Sequence, residues 1–332
     1  LLHPGREESR LSKLSVIVPC YNEEKAIPIF YKELMNVLHQ LDHEFEILFV
    51  NDGSQDGTLQ ELKVLSERDP NVKYLSFSRN FGKEAAMLAG MRHSTGDLVV
   101  IMDVDLQDPP ALIPQMIEAI EKENYDSVAT RRVTRKGEPF LRSLFARMFY
   151  KIINKMSNTD IVDGARDFRM MTRQMVNSIL EINEYHRFSK GIFGWVGYNT
   201  KWLEYENIER VAGKTKWSFW KLFKYAIDGI VAFSTVPLRM ASLFGVLFSF
   251  VAFAMLIFVV VRRLLFGDPV AGWASQVCII LFTGGLQMIF LGIIGEYLSR
   301  TYMEVKARPQ YFIKEKKLHG PGNILGISEQ KN

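Results

Sequence analysis

Cysteine is nearly absent from this chain of 332 residues: Cys20 and Cys278 are its two copies, the second inside a long apolar run. Two unrelated cysteines supply neither a disulfide framework nor metal-ligand spacing, so a reducing compartment is the default. The six histidines, His3, His39, His43, His93, His186 and His319, are scattered. No Ser-His-Asp or Cys-His arrangement stands out, which leaves triad chemistry without support. A net charge of +4 against 23% charged residues gives no reason to expect a nucleic-acid partner. Leu1 to Lys13 is polar and carries no signal-peptide core. Internal repeats and low-complexity stretches are also missing.

Charge itself is missing over two long stretches, Met240 to Val261 (22 residues) and Val270 to Gly295 (26 residues). A helix crossing a hydrocarbon core needs ~20 apolar residues. Only Arg262 to Pro269 joins the two, so they predict a hairpin with both ends on one side. Basic residues orient it. Lys214, Lys216, Lys221, Lys224 and Arg239 precede the first span, and Arg300, Lys306, Arg308, Lys314, Lys316 and Lys317 follow the second. The connection offers only Arg262 and Arg263. The large N-terminal domain and the C-terminal tail are therefore expected to be cytoplasmic. Ahead of the first span, Trp217, Phe219, Trp220, Phe223 and Tyr225 interleave with Lys216, Lys221 and Lys224. That pattern suits an interfacial helix in the headgroup region, with an ordinary amphipathic helix as the alternative.

Residues 14 to about 130 alternate strand and helix patterns, as in a mostly parallel α/β sheet. Strands are expected at Leu14–Pro19, Phe45–Val50, Val72–Phe77, Leu98–Met102 and Asp126–Thr130. Helices are expected near Ala26–Leu41, from Thr58 to about Arg68, and over Lys83–Met91. From Arg131 to Arg187 the pattern turns helical and basic, with a turn at Asp163-Gly164.

The strand Leu98–Met102 closes on Asp103-Val104-Asp105-Leu106-Gln107. Two carboxylates two residues apart point the same way off a pleat, and in an open α/β sheet ligands bind at the carboxyl edge. Hard oxygen donors there suit Mg²⁺ or Mn²⁺ together with substrate phosphates. Taken alone, so short a motif could be a capped turn. Pro19-Cys20-Tyr21-Asn22-Glu23-Glu24 and Asn51-Asp52-Gly53-Ser54, however, end the first two strands and converge on the same edge. Together the three loops make a nucleotide-sized pocket with a metal site.

These loops resemble the motifs of GT-A glycosyltransferases of family 2, and more closely the polyprenyl-phosphate glycosyltransferases, the bacterial undecaprenyl-phosphate (bactoprenol) branch above all. The resemblance continues in Phe77–Ala85, Asp167-Phe168-Arg169, Ala212–Trp217, Pro237–Arg239, Gly292–Tyr297 and Arg308-Pro309, and so covers about Leu14 to Ile313. It implies a Rossmann-like GT-A catalytic domain followed by a two-helix transmembrane hairpin. The chain then divides into an N-terminal tail (1–13), the catalytic domain (14–210), a basic and aromatic loop with an interfacial helix (211–237), two membrane helices (238–296, about 240–261 and 270–295) and a cytoplasmic tail (297–332).

Roles follow from the resemblance at matching positions. Pro19, Tyr21, Glu23 and Asp52 would line the nucleoside pocket. Asp103 and Asp105 would serve metal and diphosphate, with Gln107 as a further oxygen ligand. Arg131 would face the acceptor phosphate, helped by Arg142 and Arg147, for which a solvated basic face is the rival role. Asp167 and Arg169 would shape the sugar and acceptor pocket, a buried salt bridge being the rival role for Arg169. Arg210, Lys214 and Lys216 would close over the diphosphate, with attraction to anionic lipid as the competing role. Arg166 occupies a slot where the family usually has a small residue.

The implied reaction is transfer of a hexose from a UDP-sugar to undecaprenyl phosphate with inversion, at a bacterial cell membrane. Glucose and N-acetylglucosamine are the implied sugars, with a slight lean to the latter through Asn51–Gly57 and Phe77–Ala85. A homo-oligomer, a downstream flippase and a polymer-modifying transferase are the implied protein partners. A processive polysaccharide synthase is a rival, but Glu209-Arg210 through Trp217 lacks a Q-x-x-R-W motif and one hairpin cannot enclose a channel. A non-catalytic nucleotide-sugar-binding scaffold would have no need of the paired aspartates.

Overall fold

The computed structural model describes residues 12–132, 162, 164–205, 231, 234–266 and 272–318. Its centre is an eight-stranded mixed sheet: β1 (Leu14–Cys20), β2 (Phe45–Asn51), β3 (Val72–Phe77), β4 (Leu98–Ile101), β5 (Ser127–Arg132), β6 (Ala165–Thr172), β7 (Thr200–Tyr205) and β8 (Ile313–Lys317), in spatial order β7-β5-β6-β4-β1-β2-β3-β8. β4, β1, β2 and β3 run parallel, as do β5 and β7, while β6 and β8 are antiparallel to their neighbours.

The first four strands form where expected because each is a short apolar run buried on both faces. Leu14, Val16 and Val18 face Phe30, Leu34 and Leu38 of α1 (Ala26–Leu38), together with Leu62 of α2 (Thr58–Arg68) and Met116 of α4 (Ile113–Glu121). On the opposite face, Ile17, Val99 and Ile101 meet Met87 and Met91 of α3 (Lys83–His93), Met175 and Ile179 of α5 (Arg173–Glu181), and Ile192 of α6 (Ser189–Trp195). Fully burying each such side chain contributes about 1.5–3 kcal/mol. α3 lies unusually close to β1: a Cβ on Gly90 would stand 2.2 Å from Ile17 Cγ2, so only glycine permits the approach.

Two departures from the sequence reading stand out. Residues 165–172, expected within a helical region, form β6. The segment is sandwiched between β4 and β5 and pairs with both, with Phe168, Met170 and Met171 buried. Pairing on two sides overrides its weak local preference. Residues 313–317, expected as tail, form β8 and extend the sheet along the outer side of β3.

Two long helices, α7 (Val236–Phe266) and α8 (Trp273–Val305), stand between β7 and β8 in the chain. They touch through Phe248 and Phe282, ring centroids 6.0 Å apart. Tyr297 Oη donates to Ser234 O at 2.5 Å, so the chain returns beside the point where it left. Among the described residues, one helical stretch, Val236–Met255, is long and apolar enough to cross a membrane, with mean hydropathy 1.9 and no part buried in the protein. Phe250, Phe253 and Phe258 of α7 and Phe282, Ile289 and Leu291 of α8 are likewise exposed. Residues 217–230 and 267–271, which hold most of the expected interfacial helix and part of the expected connection, lie outside the described residues.

Candidate active site

β1, β2 and β4 are neighbours whose carboxyl ends open on one edge, and the three expected loops meet there. Adjoining strands with crossovers on opposite faces leave a crevice at this point. Hydrogen bonds knit the first two loops together. Asn22 N donates to Ser54 Oγ (2.9 Å), Gln55 N to Asn22 Oδ1 (2.9 Å), Glu23 N to Thr58 Oγ1 (2.8 Å) and Gly57 N to Glu24 Oε2 (2.7 Å). Tyr21, 38% exposed, projects from this scaffold, while Pro19 stays in the ladder opposite Val50.

Asp52 is buried and clamps a third element. Its Oδ1 accepts from Phe81 N (2.6 Å) and its Oδ2 from Gly82 N (2.9 Å). Burial pushes its carboxyl pKa up, against the pull of those two N–H groups. Gly53 (φ +64°) lets the 79–82 segment approach, since a Cβ there would lie 2.3 Å from the Arg79 backbone.

Beyond β4 the aspartates sit in a turn rather than on the strand, yet the alternation persists. Met102, Val104, Leu106 and Asp108 are buried while Asp103, Asp105 and Gln107 are partly open. Asp105 Oδ1 accepts from Gln107 N at 3.2 Å. Lys83, the first residue of α3, places its Nζ 2.6 Å from Asp103 Oδ1 and 2.5 Å from Asp167 Oδ2. The strand register explains the meeting: β6 is antiparallel to β4 with Arg169 opposite Ile101, which brings Asp167 level with Asp103. Burial alone would lower the Lys83 pKa, but the two carboxylates outweigh it and hold the ammonium well above its ordinary value. Asp167 is held well below the carboxylate range, because Lys83 overcomes the cost of burial.

Arg131 reaches the same edge, since β5 runs antiparallel to β6 with Arg131 opposite Ala165. Its Nε donates to Glu204 Oε1 at 2.9 Å, and the pair is open to solvent, the side chains 42% and 50% exposed. An exposed pair of this kind is worth about 0–1 kcal/mol, so Arg131 can exchange Glu204 for a phosphate at little cost. Arg169 lies deeper. Its guanidinium stands 4.5 Å from the Phe193 ring and 5.6 Å from the Trp202 ring, and burial pushes its pKa down to about 10. Among the described residues it makes no salt bridge, and the two aromatic rings flank its guanidinium. Arg142, Arg147, Arg210, Lys214 and Lys216 lie outside the described residues.

The sequence reading assigned no role to Lys83 or to a second network. Arg166 Nε donates to Asp108 Oδ1 (3.0 Å) and Nη2 to Gln107 Oε1 (3.3 Å), while Tyr205 Oη also donates to Asp108. The residue that departs from the family habit thus ties down the loop after the paired aspartates. The available signal for Lys83 was a lone cation opening a helix behind Phe81-Gly82, within a stretch already singled out.

Mg²⁺ or Mn²⁺ takes hard oxygen ligands and completes its shell with phosphate and water. Asp103 and Asp105 supply such oxygens, and the Lys83 ammonium shows that a cation is accommodated at contact distance from Asp103. No cluster of three or more His, Cys, Asp or Glu side chains encloses a metal among the described residues. Two carboxylates of this kind fit a divalent ion that completes its shell with phosphate and water, while Gln107 Oε1 accepts from Arg166.

Residues 15–180 match the family model described as glycosyl transferase family 2. The CsbB protein of Bacillus subtilis (strain 168) is 45% identical over 302 residues, covering 91% of this chain and 91% of its own. The prophage bactoprenol glucosyl transferase homolog of Escherichia coli (strain K12) is 45% identical over 305 residues, 92% and 99% of the two chains. The bactoprenol glucosyl transferase of Shigella phage SfX is 44% identical over 305 residues, 92% and 100% of the two chains. The chain belongs to glycosyl transferase family 2 and is a glycosyltransferase with a GT-A-like α/β fold.

Proposed function

We propose that this enzyme transfers a hexose, with glucose first and N-acetylglucosamine second, from a UDP-sugar to undecaprenyl phosphate at the cytoplasmic face of a bacterial membrane. The names of the relatives from E. coli and phage SfX favour glucose over the slight sequence lean to N-acetylglucosamine. The observation that carries the reading is the meeting of Asp103, Asp105 and Asp167 with Lys83 and Arg131 at one sheet edge. Such an edge suits a reaction between two phosphate compounds.

In this reading Pro19, Tyr21, Glu23 and Asp52 form the nucleoside pocket. Asp103 and Asp105 hold Mg²⁺ or Mn²⁺, which when bound neutralises the donor diphosphate and the leaving UDP. The acceptor is a phosphate monoester whose second pKa is about 6, so it is largely dianionic at neutral pH and needs no strong base. Arg131, with Arg142 and Arg147, draws that phosphate in. Asp167, kept ionised by Lys83, and Arg169 border the sugar. Arg210, Lys214 and Lys216 close over the diphosphate. Attack of the phosphate oxygen on the anomeric carbon breaks the bond to UDP in line and inverts the centre.

α7 and α8 serve as a two-span hairpin. Side chains apolar all round and uncovered by protein suit lipid. The Tyr297–Ser234 contact and the return of β8 to the sheet support placing both ends on the catalytic side. The lipid-linked sugar would then pass to a separate flippase and a polymer-modifying transferase, and the enzyme itself would assemble as a homo-oligomer. The test is purified protein with Mg²⁺ or Mn²⁺, undecaprenyl phosphate and a panel of labelled UDP-sugars. Labelled lipid from UDP-glucose, lost on chelation, is expected. Absence of label with every UDP- and GDP-sugar, from folded protein, overturns the reading.

A further inference from the structure

We infer that Tyr311 and Phe312, on the segment returning from α8, are positioning residues for the donor pocket. The inference rests on the proposal that this pocket takes a nucleotide-sugar. The Tyr311 ring stacks on Phe77 with centroids 4.9 Å apart and planes 15° from parallel. Phe312 lies 6.1 Å from Phe81, and Phe81 lies 5.8 Å edge-on to Phe77. The β3–β8 register shifts between Ser76 and Phe77, and just past that break Ser78 N donates to Phe312 O at 3.0 Å. A shift of this kind re-aims the chain beyond it.

What it re-aims is the 78–82 loop, which does three things at the pocket. Phe81 N and Gly82 N hold both oxygens of Asp52. Arg79 fills the space left by Gly53. The next residue, Lys83, joins Asp103 to Asp167. The returning segment is itself anchored, with Glu304 accepting from Tyr185 N (2.9 Å) and Gln310 Nε2 donating to Glu184 O. Two aromatic rings more than 200 residues downstream of the loop, as their numbering shows, therefore set the placement of Asp52 and Lys83 without themselves touching either group.

The test uses the full chain in detergent, with UDP binding by calorimetry and separate KM values for donor and acceptor. Tyr311→Ala should weaken UDP binding and raise the donor KM by about tenfold or more, since misplacing a positioned group by 1 Å can cost about 100-fold. The acceptor KM should move less than about twofold. Tyr311→Phe keeps the stacked ring and should restore donor affinity. Glu315→Gln loosens β8 at Tyr74 and Lys63, away from the loop, and should leave UDP binding unchanged. Should Tyr311→Ala fail to fold, Tyr311→Leu, which keeps bulk without the stacked ring, is expected to show the same donor defect. Wild-type UDP affinity in Tyr311→Ala or Tyr311→Leu, a donor defect in Tyr311→Phe as large as that in Tyr311→Ala, or an equal loss in Glu315→Gln, overturns the inference alone. A wild-type protein that binds neither UDP nor GDP overturns the donor-site reading and the inference with it.

Discussion

Replacing Lys83 by methionine keeps the length of the side chain and removes the ammonium between Asp103 and Asp167. A unit-charge pair at 4 Å and an effective dielectric of 20 is worth about 4 kcal/mol. The Lys83 side chain is 39% exposed and its partners 26% and 21%, so solvent screens much of that. Exposed pairs contribute about 0–1 kcal/mol, and breaking a buried one costs about 3–5 kcal/mol. A loss of about 2 kcal/mol follows, or about 4–8 °C in Tm for a domain of roughly 200 residues. The sign with pH is fixed by two shifts. Asp167 is held below its ordinary range, so its stabilisation is complete above pH ~5 and lost as pH falls. Lys83 is raised, so its stabilisation is complete below pH ~9.5 and lost only in stronger base. Thermal unfolding of Lys83→Met and wild type in detergent should differ by a constant amount between pH ~5 and ~9, and the difference should shrink below pH ~4. Mn²⁺ should raise the Tm of Lys83→Met more than that of the wild type, because a cation then replaces the missing one. Equal Tm values at pH 7, or an undiminished gap at pH 3, would refute the electrostatic account.

Asp105→Asn should lower transfer by 100-fold or more while leaving the melting profile intact, and wild-type turnover in the radiolabel assay would remove Asp105 from the metal site. Arg131→Ala should raise the KM for undecaprenyl phosphate by about tenfold with little change in the UDP-sugar KM, and equal effects on both would count against an acceptor role. Glu46 is buried, and hydrogen bonds from Lys73, Ser15 and Thr95 outweigh that burial to hold its pKa down to about 2. Its lowered pKa stabilises the fold above pH ~5 and loses that effect on acidification, so Glu46→Gln should cost about 3 kcal/mol at pH 7 and much less at pH 2, as read by unfolding midpoints.

How much could be read beforehand depended on whether a segment's partners were local. β1 to β4 are apolar runs with turn residues behind them, and their order along the chain already places three polar loops on one edge. β6 offered no such cue: Arg166, Asp167 and Arg169 break the apolar pattern, and only pairing with β4 and β5 makes the segment a strand. β8, Ile313-Lys314-Glu315-Lys316-Lys317, is a charged edge strand of the kind that discourages further pairing, and in isolation it looks like tail. Among candidate site residues, Asp52, Asp103 and Asp105 could be singled out beforehand because turn chemistry and strand position coincide, and their loops do meet at one sheet edge. Lys83 escaped because its role depends on Asp167, 84 residues away, and Arg166 because its partner Asp108 is 58 residues away.

The position of β8 in the chain also sets the order in which the enzyme comes into being. A ribosome delivers β1 to β7, then two long apolar helices, and only then the strand that covers β3. Tyr74 and its partner Glu315 are separated by 241 residues. At ~5–20 residues per second the outer edge of β3 waits ~10–50 s for that partner. During the wait its backbone N–H and C=O groups are available to any extended chain nearby. A nascent chain arrested anywhere in the helices keeps that edge open, so under the proposed two-span hairpin, insertion into a bilayer and completion of the sheet would be successive stages of one biosynthetic event.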